Sequence, residues 1–415
     1  MKKLATIPAA AIALCVATSA MPAFAATHTD TNDLVWTYAV LDGTNVKLGD
    51  NNITINSLAI NNRANLSFDT SAIPWTFTDN DTDYTVVQLD VNAFNNFQKM
   101  TGTLTIPDTV KTLGQNAFYG CIGIDSIASL GGVTNLGIAA FYGCTGVESC
   151  PDLSGVEVMY REAFRNCTGM SGTAVLSSLA YGCYGAFQGC SKLESVFIAG
   201  PASGSSTTQI ESKNFLNGAT SLEVFIAGPK TALSSSNSQP SSMFTSVSGC
   251  RMFLPADSNF STLASQSYAA NNTFLFYGEG QDLDLAFDYD AKTITATPTT
   301  AHALTNVLAA AATFKDSFGY NTKICMTNAI EVAEGTVTDE MASGVEFESL
   351  VFNVKTQAQL DMVLAATDGV STPLCLDPSG AKEKMVLPAD RKAWVLLSGE
   401  GEYRPHIDGF IITFH

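Results

Sequence analysis

A five-residue phrase recurs four times in the middle of the chain, and each copy begins 23 residues after the last. The copies read AFYGC, AFYGC, AFRNC and AFQGC, and they begin at Ala117, Ala140, Ala163 and Ala186. A fixed period of about 20 to 50 residues indicates a stack of similar supersecondary units. The chain is therefore predicted to fold around a repeat array, with other segments before and after it.

Other apolar positions keep the same period. Two such columns consist of Val110, Val133, Val156 and Leu179, and of Ile124, Val147, Met170 and Leu193. Each unit has an apolar edge too small to bury alone, and stacking joins these edges into one continuous core. The columns predict a β-rich solenoid with a 23-residue period.

The phrase itself supplies large and small core residues. Large rings dominate burial, and the ones expected in the core are Phe118, Phe141, Phe164 and Phe187. Free cysteine behaves as a small apolar residue, and the predicted buried thiols are Cys121, Cys144, Cys167 and Cys190. A zinc site would need closely paired Cys and His ligands, which this spacing does not provide. Disulfide formation is the remaining alternative for these cysteines.

The array resembles the leucine-rich repeats of the BspA-like bacterial secreted and surface proteins. The matching residues are Leu104-Thr105-Ile106-Pro107, then Val110, Leu113, Ala117, Phe118, Cys121 and Ile124. The resemblance covers about residues 73–278 and is clearest over 104–193. It implies a solenoid of leucine-rich type, and an association with adhesion and protein binding. An asparagine ladder like that of other leucine-rich repeats is missing, since the residues before Ala are Asn116, Ala139, Glu162 and Gly185.

The first 25 residues have the composition of a secretory signal peptide. Lys2 and Lys3 precede an apolar run that ends in Ala23-Phe24-Ala25, so cleavage is expected after Ala25 or Ala26. The uninterrupted apolar stretch is short for a membrane span, and no later segment is long and apolar enough. We expect an exported protein, secreted or at the cell surface, without membrane insertion.

Charge and cysteine number limit the partners. The formal net charge is −18, and removal of the two signal-peptide lysines leaves 19 basic residues against 39 acidic ones, a net charge of −20. Such an acidic chain without a basic cluster is unsuited to nucleic acid or anionic lipid. Nine cysteines remain after cleavage. This odd number cannot pair completely within one chain.

The segments around the array complete the predicted organisation. Residues 26–90 are predicted to form a β-rich N-terminal cap with a hairpin at Asp42-Gly43 and a diverged first repeat. In that repeat, Phe94 lies 24 residues before Phe118. The solenoid is expected over 91–278. Residues 281–415 lose the period and are predicted to form a small α+β domain of unrecognised family.

Beyond Leu193 the repeats lengthen. LESVFIAGP and LEVFIAGP are near-duplicates, and Ser/Thr-rich insertions occupy 203–208 and 234–242. Insertions in a solenoid map to loops on one face, often the face that binds. Simple tolerance of extra loop length is an equally good interpretation.

No pattern identifies an active site. The histidines are widely separated, and no G-x-S-x-G motif or glycine-rich phosphate loop occurs. Asp79, Asp81 and Asp83 alternate as in a calcium loop, but Tyr84 replaces the required glycine, so a solvated turn is favoured. The acidic run 282–290 is expected on an exposed face of a hairpin rather than around a cation. No catalytic residue, cofactor or metal is predicted. The expected export would permit a disulfide between Cys325 and Cys375, and its formation and its absence are equally good interpretations.

The sequence therefore predicts a secreted or cell-surface protein that binds a protein or glycan partner through the solenoid. The alternative is an exported enzyme, for example one acting on glycans, with its site in 281–415 and the repeats as a targeting module. Aromatic residues and arginine are typical of interface hot spots. The candidate contacts follow each repeat Phe and are Tyr119, Tyr142, Arg165 and Gln188, although packing against adjoining loops would explain them equally well.

Overall fold

The structure is a computed structural model, and it describes residues 26–29, 34–48, 54–55, 63–200, 207–331 and 345–368, followed by the shorter segments 370–372, 374–379, 381, 385–388, 393–396, 403–406 and 411–412. The predicted signal peptide and most of the insertion 203–208 lie outside these residues. The chain divides into two compact units. The first contains the chain up to Glu223, with Pro229–Gly249 and Ser265–Asn271, and the second contains Val224–Gly228, Cys250–Ala264 and the chain from Asn272 onward.

Short parallel strands, joined in chain order, form the repeat region of the first unit. One sheet contains Thr112–Leu113, Asn135–Leu136, Val158–Met159, Tyr181–Gly182, Thr208–Ile210 and Thr231–Leu233. On the other side of each repeat lie the parallel strands Ser67–Asp69, Lys99–Thr105 and Ile124–Ser129, and the parallel pair Gly172–Leu176 and Leu193–Ile198. Parallel strands repeated in this way are the architecture of a leucine-rich repeat solenoid.

The strand register follows the sequence spacing. Asn135 pairs with Val158, and Val158 pairs with Tyr181, so each step advances the chain by 23 residues. The next partner of Tyr181 is Gln209, which lies 28 residues further on. The extra residues therefore enter the connection between strands, and the sheet continues past them.

The repeat phenylalanines form one stacked column inside the first unit. Phe118 and Phe141 lie 5.2 Å apart between ring centroids, with planes only 4° apart. Phe94 of the diverged repeat joins the column, 5.1 Å from Phe118 at 7°. The parallel order ends between Phe187 and Phe215, whose rings meet edge to face at 81°. The column therefore ends where the spacing between successive repeat phenylalanines lengthens to 28 residues.

Each column thiol makes a hydrogen bond to the preceding repeat. The thiol of Cys121 donates to the carbonyl oxygen of Phe94 at 2.9 Å, and that of Cys144 donates to Phe118 at 3.1 Å. Cys167 and Cys190 repeat the contact at 3.0 Å. The column cysteines are fully buried or nearly so. Cysteine at this position thus supplies a hydrogen-bond donor as well as a small side chain.

Two backbone positions in each repeat adopt the left-handed conformation. One precedes the cysteine and holds Gly120, Gly143, Asn166 and Gly189. The other precedes Ala-Phe, where φ is 55° at Asn116, 53° at Ala139, 61° at Glu162 and 66° at Gly185. A residue other than glycine or asparagine costs about 1–2 kcal/mol in this region. The varied residues at the second position therefore share one conformation, although the sequence shows no ladder there.

Antiparallel hairpins precede the repeats. Leu34–Asp42 and Asn45–Leu48 pair around Gly43, which confirms the hairpin expected at Asp42-Gly43. The other strands of this segment are Ala26–Thr29, Thr54–Ile55, Thr76–Asp79 and Thr82–Leu89, and short 3-10 helices lie at Arg63–Asn65 and Thr70–Ala72.

The alternating aspartates lie in a hairpin. Thr76–Asp79 pairs antiparallel with Thr82–Leu89, and the turn contains Asn80 and Asp81, both with positive φ. The flanking carboxylates accept hydrogen bonds from hydroxyl groups. Tyr38 donates to Asp79 and Thr78 donates to Asp83, both at 2.6 Å. Among the residues that the structure describes, no group of three or more His, Cys, Asp or Glu side chains could hold a metal ion.

The second unit combines strands with two α-helices. The helices are Ala301–Asp316, capped by the Thr300 hydroxyl, and Gln357–Ala366, which begins with a capping box of Thr356 and Gln359. The strands are Val224–Ala227, Arg251–Pro255, Thr273–Tyr277, Leu283–Asp288, Thr293–Pro298, Asn321–Cys325, Ile330–Glu331, Val345–Asn353, Leu374–Asp377, Met385–Val386, Ala393–Leu396, Tyr403–His406 and Ile411–Ile412. Of the remaining 3-10 helices, Pro240–Ser242 and Ser267–Asn271 belong to the first unit, and Asn259–Ser265 lies in the second except for Ser265.

The region from residue 281 bears on three sequence predictions: the hairpin, its exposed acidic face and the Cys325–Cys375 disulfide. The hairpin over 282–298 is confirmed, and Asp284, Asp288 and Asp290 are exposed on it. The possible Cys325–Cys375 disulfide is absent from the structure: both cysteines are free, and the strand Val345–Asn353 lies between the strands that carry them. Two strand spacings of about 4.8 Å each exceed the Cα separation of a disulfide, which is at most about 7 Å.

Within the described residues, no helix is both long and apolar enough to cross a membrane.

Two neighbouring glycines test how closely the repeats approach. A Cβ on Gly146 would overlap the carbonyl oxygen of Ile122 and lie 2.7 Å from that of Ile124, whereas a Cβ on Gly143 meets nothing within 4 Å. Gly143→Ala adds only left-handed strain, about 1–2 kcal/mol. We expect Gly146→Ala to lower the melting temperature clearly more than Gly143→Ala, by circular dichroism. Equal losses would contradict the close backbone approach at Gly146.

The buried thiols predict a loss of stability at high pH. Burial raises the pKa of Cys167 to about 12 and raises those of Cys121, Cys144 and Cys190 well above the usual range. In the unfolded chain, the cysteine thiols ionise at about pH 8.5. The stability that these thiols contribute is therefore complete below about pH 8.5 and is lost as pH rises through the folded pKa.

We expect the free energy of unfolding, measured in urea from pH 8 to 11, to fall less steeply with pH in Cys144→Ala than in the unmodified chain. The exposed neighbour Thr145 provides the control, since Thr145→Ala leaves the titrating thiols in place. Identical slopes for Cys144→Ala and Thr145→Ala would show that Cys144 is ionisable in the folded protein.

Candidate functional site

A six-residue turn in each repeat carries the candidate contact residues, and backbone hydrogen bonds fix it to the next turn. The amide of Gly120 donates to the carbonyl oxygen of Tyr142 at 2.7 Å, and that of Gly143 donates to Arg165 at 2.8 Å. The amide of Phe118 donates to Ala140 at 2.7 Å in the same step. Successive turns are therefore held at one level, and their side chains form rows.

The first row contains the predicted contacts Tyr119, Tyr142, Arg165 and Gln188. The rings of Tyr119 and Tyr142 stack with centroids 4.7 Å apart and planes 15° apart. The guanidinium of Arg165 lies over the Tyr142 ring, 5.5 Å from its centroid. Tyr119 is 36% exposed, and the other three are half-buried. The structure thus brings the first three into contact with one another, with Gln188 at the same position of the following repeat.

Two side chains orient the middle of this row. Glu162 forms an ion pair with Arg165, three residues later, at 2.5 Å between Oε1 and Nη1. The side-chain amide of Asn166 donates to the Tyr142 hydroxyl at 3.2 Å. A partly exposed ion pair contributes at most about 1 kcal/mol to stability. Its main effect is to fix the direction of the guanidinium.

A second row lies four residues earlier on each turn. It consists of Gln115, Ile138, Arg161, Tyr184 and Lys213, and we call the two rows together the turn face. Arg161 Nη1 donates to the Tyr184 hydroxyl at 3.4 Å, and Lys213 Nζ lies 5.3 Å from the centroid of the same ring. Sequence reasoning missed this row. The same period would have identified it, since Ile138, Arg161 and Tyr184 are 23 residues apart.

A buried carboxylate supports the end of the turn face. Glu211 is only 4% exposed, and its oxygens accept three hydrogen bonds, from the hydroxyl of Tyr181 at 2.6 Å, the backbone amide of Tyr184 at 3.0 Å and the side-chain amide of Asn237 at 3.0 Å. Burial, together with the bond to Glu211, raises the pKa of Tyr181. A buried polar group is tolerated when its hydrogen-bonding atoms have partners in this way. No sequence signal distinguished Glu211 from the chain's other acids.

The same region anchors the Ser/Thr-rich insertion 234–242. The buried Ser212 hydroxyl accepts the amide of Gln239 at 2.8 Å, and the Ser242 hydroxyl accepts the amide of Asn214 at 3.1 Å. With Asn237 bound to Glu211, the insertion is tied to the preceding repeat at three positions. It therefore forms an ordered extension beside Tyr184 and Lys213.

The arrangement favours binding over bond making. Guanidinium, ammonium, hydroxyl and amide groups are hydrogen-bond donors, and they lie on turns whose backbones are joined by hydrogen bonds. Interfaces use such aromatic and arginine side chains as anchors.

Phe141 and Tyr142 are adjacent residues with opposite environments, which makes them a matched pair. Phe141 is fully buried, and Phe141→Ala is expected to cost about 3–5 kcal/mol of stability. Tyr142→Ala loses partly exposed contacts with Tyr119, Arg165 and Asn166, of which the ring stacking is worth about 1 kcal/mol, so a smaller loss is expected. Urea unfolding of both variants measures the difference. Equal losses would place Tyr142 in the core instead of on the turn face.

Comparison with known proteins agrees with this geometry. A sequence model of the BspA type leucine-rich repeat region matches residues 81–231 as six copies. No curated protein sequence matches the chain.

Two solved bacterial proteins are distantly similar. One is a leucine-rich cell surface protein from Faecalibacterium prausnitzii, with 14% identity, a TM-score of 0.38, and coverage of 80% of this chain and 75% of that chain. Another is a leucine-rich repeat protein from Bacteroides ovatus, with 16% identity, a TM-score of 0.25, and coverage of 82% and 98%. TM-scores this low do not establish a shared overall fold. The phrase, its columns and the six matched copies together place residues 81–231 in the BspA-type leucine-rich repeat family.

Proposed function

We propose that this is a secreted or cell-surface binding protein, acting in adhesion or another protein interaction through the turn face of its repeats. The observation that carries the proposal is the backbone ladder, which holds Tyr119, Tyr142 and Arg165 at one level on successive turns. A partner that meets such a surface does not have to order it first, so less conformational entropy is lost on binding. The repeat family, through its association with adhesion, supports the same role.

The proposal includes an organisation of the whole chain. A signal peptide at 1–25 would export the protein, residues 26–90 would cap the array, 91–278 would form the 23-residue solenoid, and 281–415 would form the α+β domain. The hairpins before the repeats support the cap, and the stacking of Phe94 on Phe118 supports a diverged first repeat. The helices Ala301–Asp316 and Gln357–Ala366 support the α+β assignment.

The experiment uses the full chain from residue 27, applied to arrays of purified extracellular-matrix proteins and of glycans. Three forms are compared: the unmodified chain, Tyr119→Ala with Gln188→Ala, and the control Thr168→Ala. Thr168 is exposed on the same unit but follows Cys167, outside both rows. We expect at least one partner to be retained by the unmodified and control chains and released by the double variant.

Retention that is identical in all three forms would contradict binding through the turn face. Cleavage of an arrayed glycan by all three forms would instead support the competing function, an exported enzyme with its site outside the repeats. Circular dichroism of each form shows that a loss of binding is not a loss of folding.

A further inference from the structure

Three cations collect on the turn face of a strongly acidic protein. Arg161 and Arg165 lie on one turn, and Lys213 lies two repeats further along the second row. The chain has 21 basic residues against 39 acidic ones, so a local excess of cations needs a reason. Among the described acids, Glu162 pairs with Arg165, and the buried Glu211 accepts the backbone amide of Tyr184.

Two of these cations have aromatic partners and no acidic ones. Arg161 and Lys213 both contact Tyr184, and neither forms an ion pair with any residue that the structure describes. Lys213 lies over the ring and Arg161 donates to the hydroxyl, and neither contact neutralises the positive charge. Arg161 is exposed and Lys213 is half-buried, so both charges can still meet an anion from solvent.

The geometry suits oxyanions. A guanidinium presents several N–H donors in one plane and matches carboxylate or sulfate oxygens in pairs. The Tyr184 hydroxyl lies beside Arg161, and Tyr142 and Gln188 supply further hydroxyl and amide groups on the adjoining row. A ligand with both anionic groups and hydroxyl groups would find partners for each.

The same surface is poorly suited to a peptide. Its backbone amides and carbonyl groups bond from turn to turn, so no strand could be added along it. Tyr119 and Arg165 pack against the Tyr142 ring, and Lys213 lies over that of Tyr184, which leaves little aromatic surface for apolar side chains.

We propose that Arg161, Arg165, Tyr184 and Lys213 bind an anionic glycan that carries carboxylate or sulfate groups. This inference rests on the proposed function and names the class of partner that the turn face takes. Arg161 and Lys213 bind the anionic groups directly, whereas Glu162 positions Arg165.

The probe is a chondroitin sulfate oligosaccharide, titrated calorimetrically into the full chain from residue 27. Maltohexaose serves as the neutral sugar, and a poly-glutamate peptide of matched charge serves as the acidic peptide. The test variant is Arg161→Gln with Lys213→Gln. The control is Lys99→Gln with Lys192→Gln, which removes the same charge at two exposed sites outside both rows.

We expect the oligosaccharide to bind, added salt to weaken its binding, and the test variant to raise Kd about tenfold, as the loss of one exposed and one half-buried charge contact implies. The control variant should bind as the unmodified chain does, and maltohexaose should not bind. Each variant is checked for an unchanged melting temperature.

Absence of binding, or an equal loss in test and control variants, overturns the assignment. Poly-glutamate binding as tightly as the oligosaccharide would also overturn it, since the ligand would then be an acidic peptide. If the array partner is still released by Tyr119→Ala with Gln188→Ala while the oligosaccharide fails to bind, only this inference fails.

Discussion

The repeat region depends on backbone hydrogen bonds that run from each turn to the next. In one step Phe118, Gly120 and Asn116 donate to Ala140, Tyr142 and Ile138. These bonds satisfy polar groups that would otherwise be buried without partners, which would be costly. They also require every turn to have the same shape. The two left-handed positions, the close glycines and the alignment of the side-chain rows all follow from that requirement.

The core residues then fill the space that this spacing leaves. Parallel phenylalanine rings 5.1–5.8 Å apart fit the distance between turns, and the cysteine thiol reaches back to a carbonyl oxygen of the preceding repeat. Cysteine is unusual in offering both small size and a weak donor. A larger side chain would meet the neighbouring turn, and alanine would leave the carbonyl oxygen without this partner.

Much of the repeat architecture could be predicted from the sequence, because a fixed period reports contacts that recur from unit to unit. The stacked Phe118 and the buried Cys121 belong to this class. The conformation shared by Ala139 and Glu162 could not be read in the same way, since backbone shape can persist while side chains vary. Glu211 and the pairing of Arg161 with Tyr184 depend on which side chains meet across repeats of unequal length, and the period does not specify that.

The edge-to-face contact between Phe187 and Phe215 has an evolutionary consequence. Between Phe118 and Phe187 every repeat offers its neighbours the same stacked ring, thiol bond and backbone ladder, so duplication or loss of one 23-residue unit would reconnect matching surfaces. Beyond Phe187 the interfaces differ from one another, and such an exchange would join surfaces that do not match. The part of the chain free to change in length is thus the part that displays the row from Tyr119 to Gln188, and the reach of that row can vary by whole repeats.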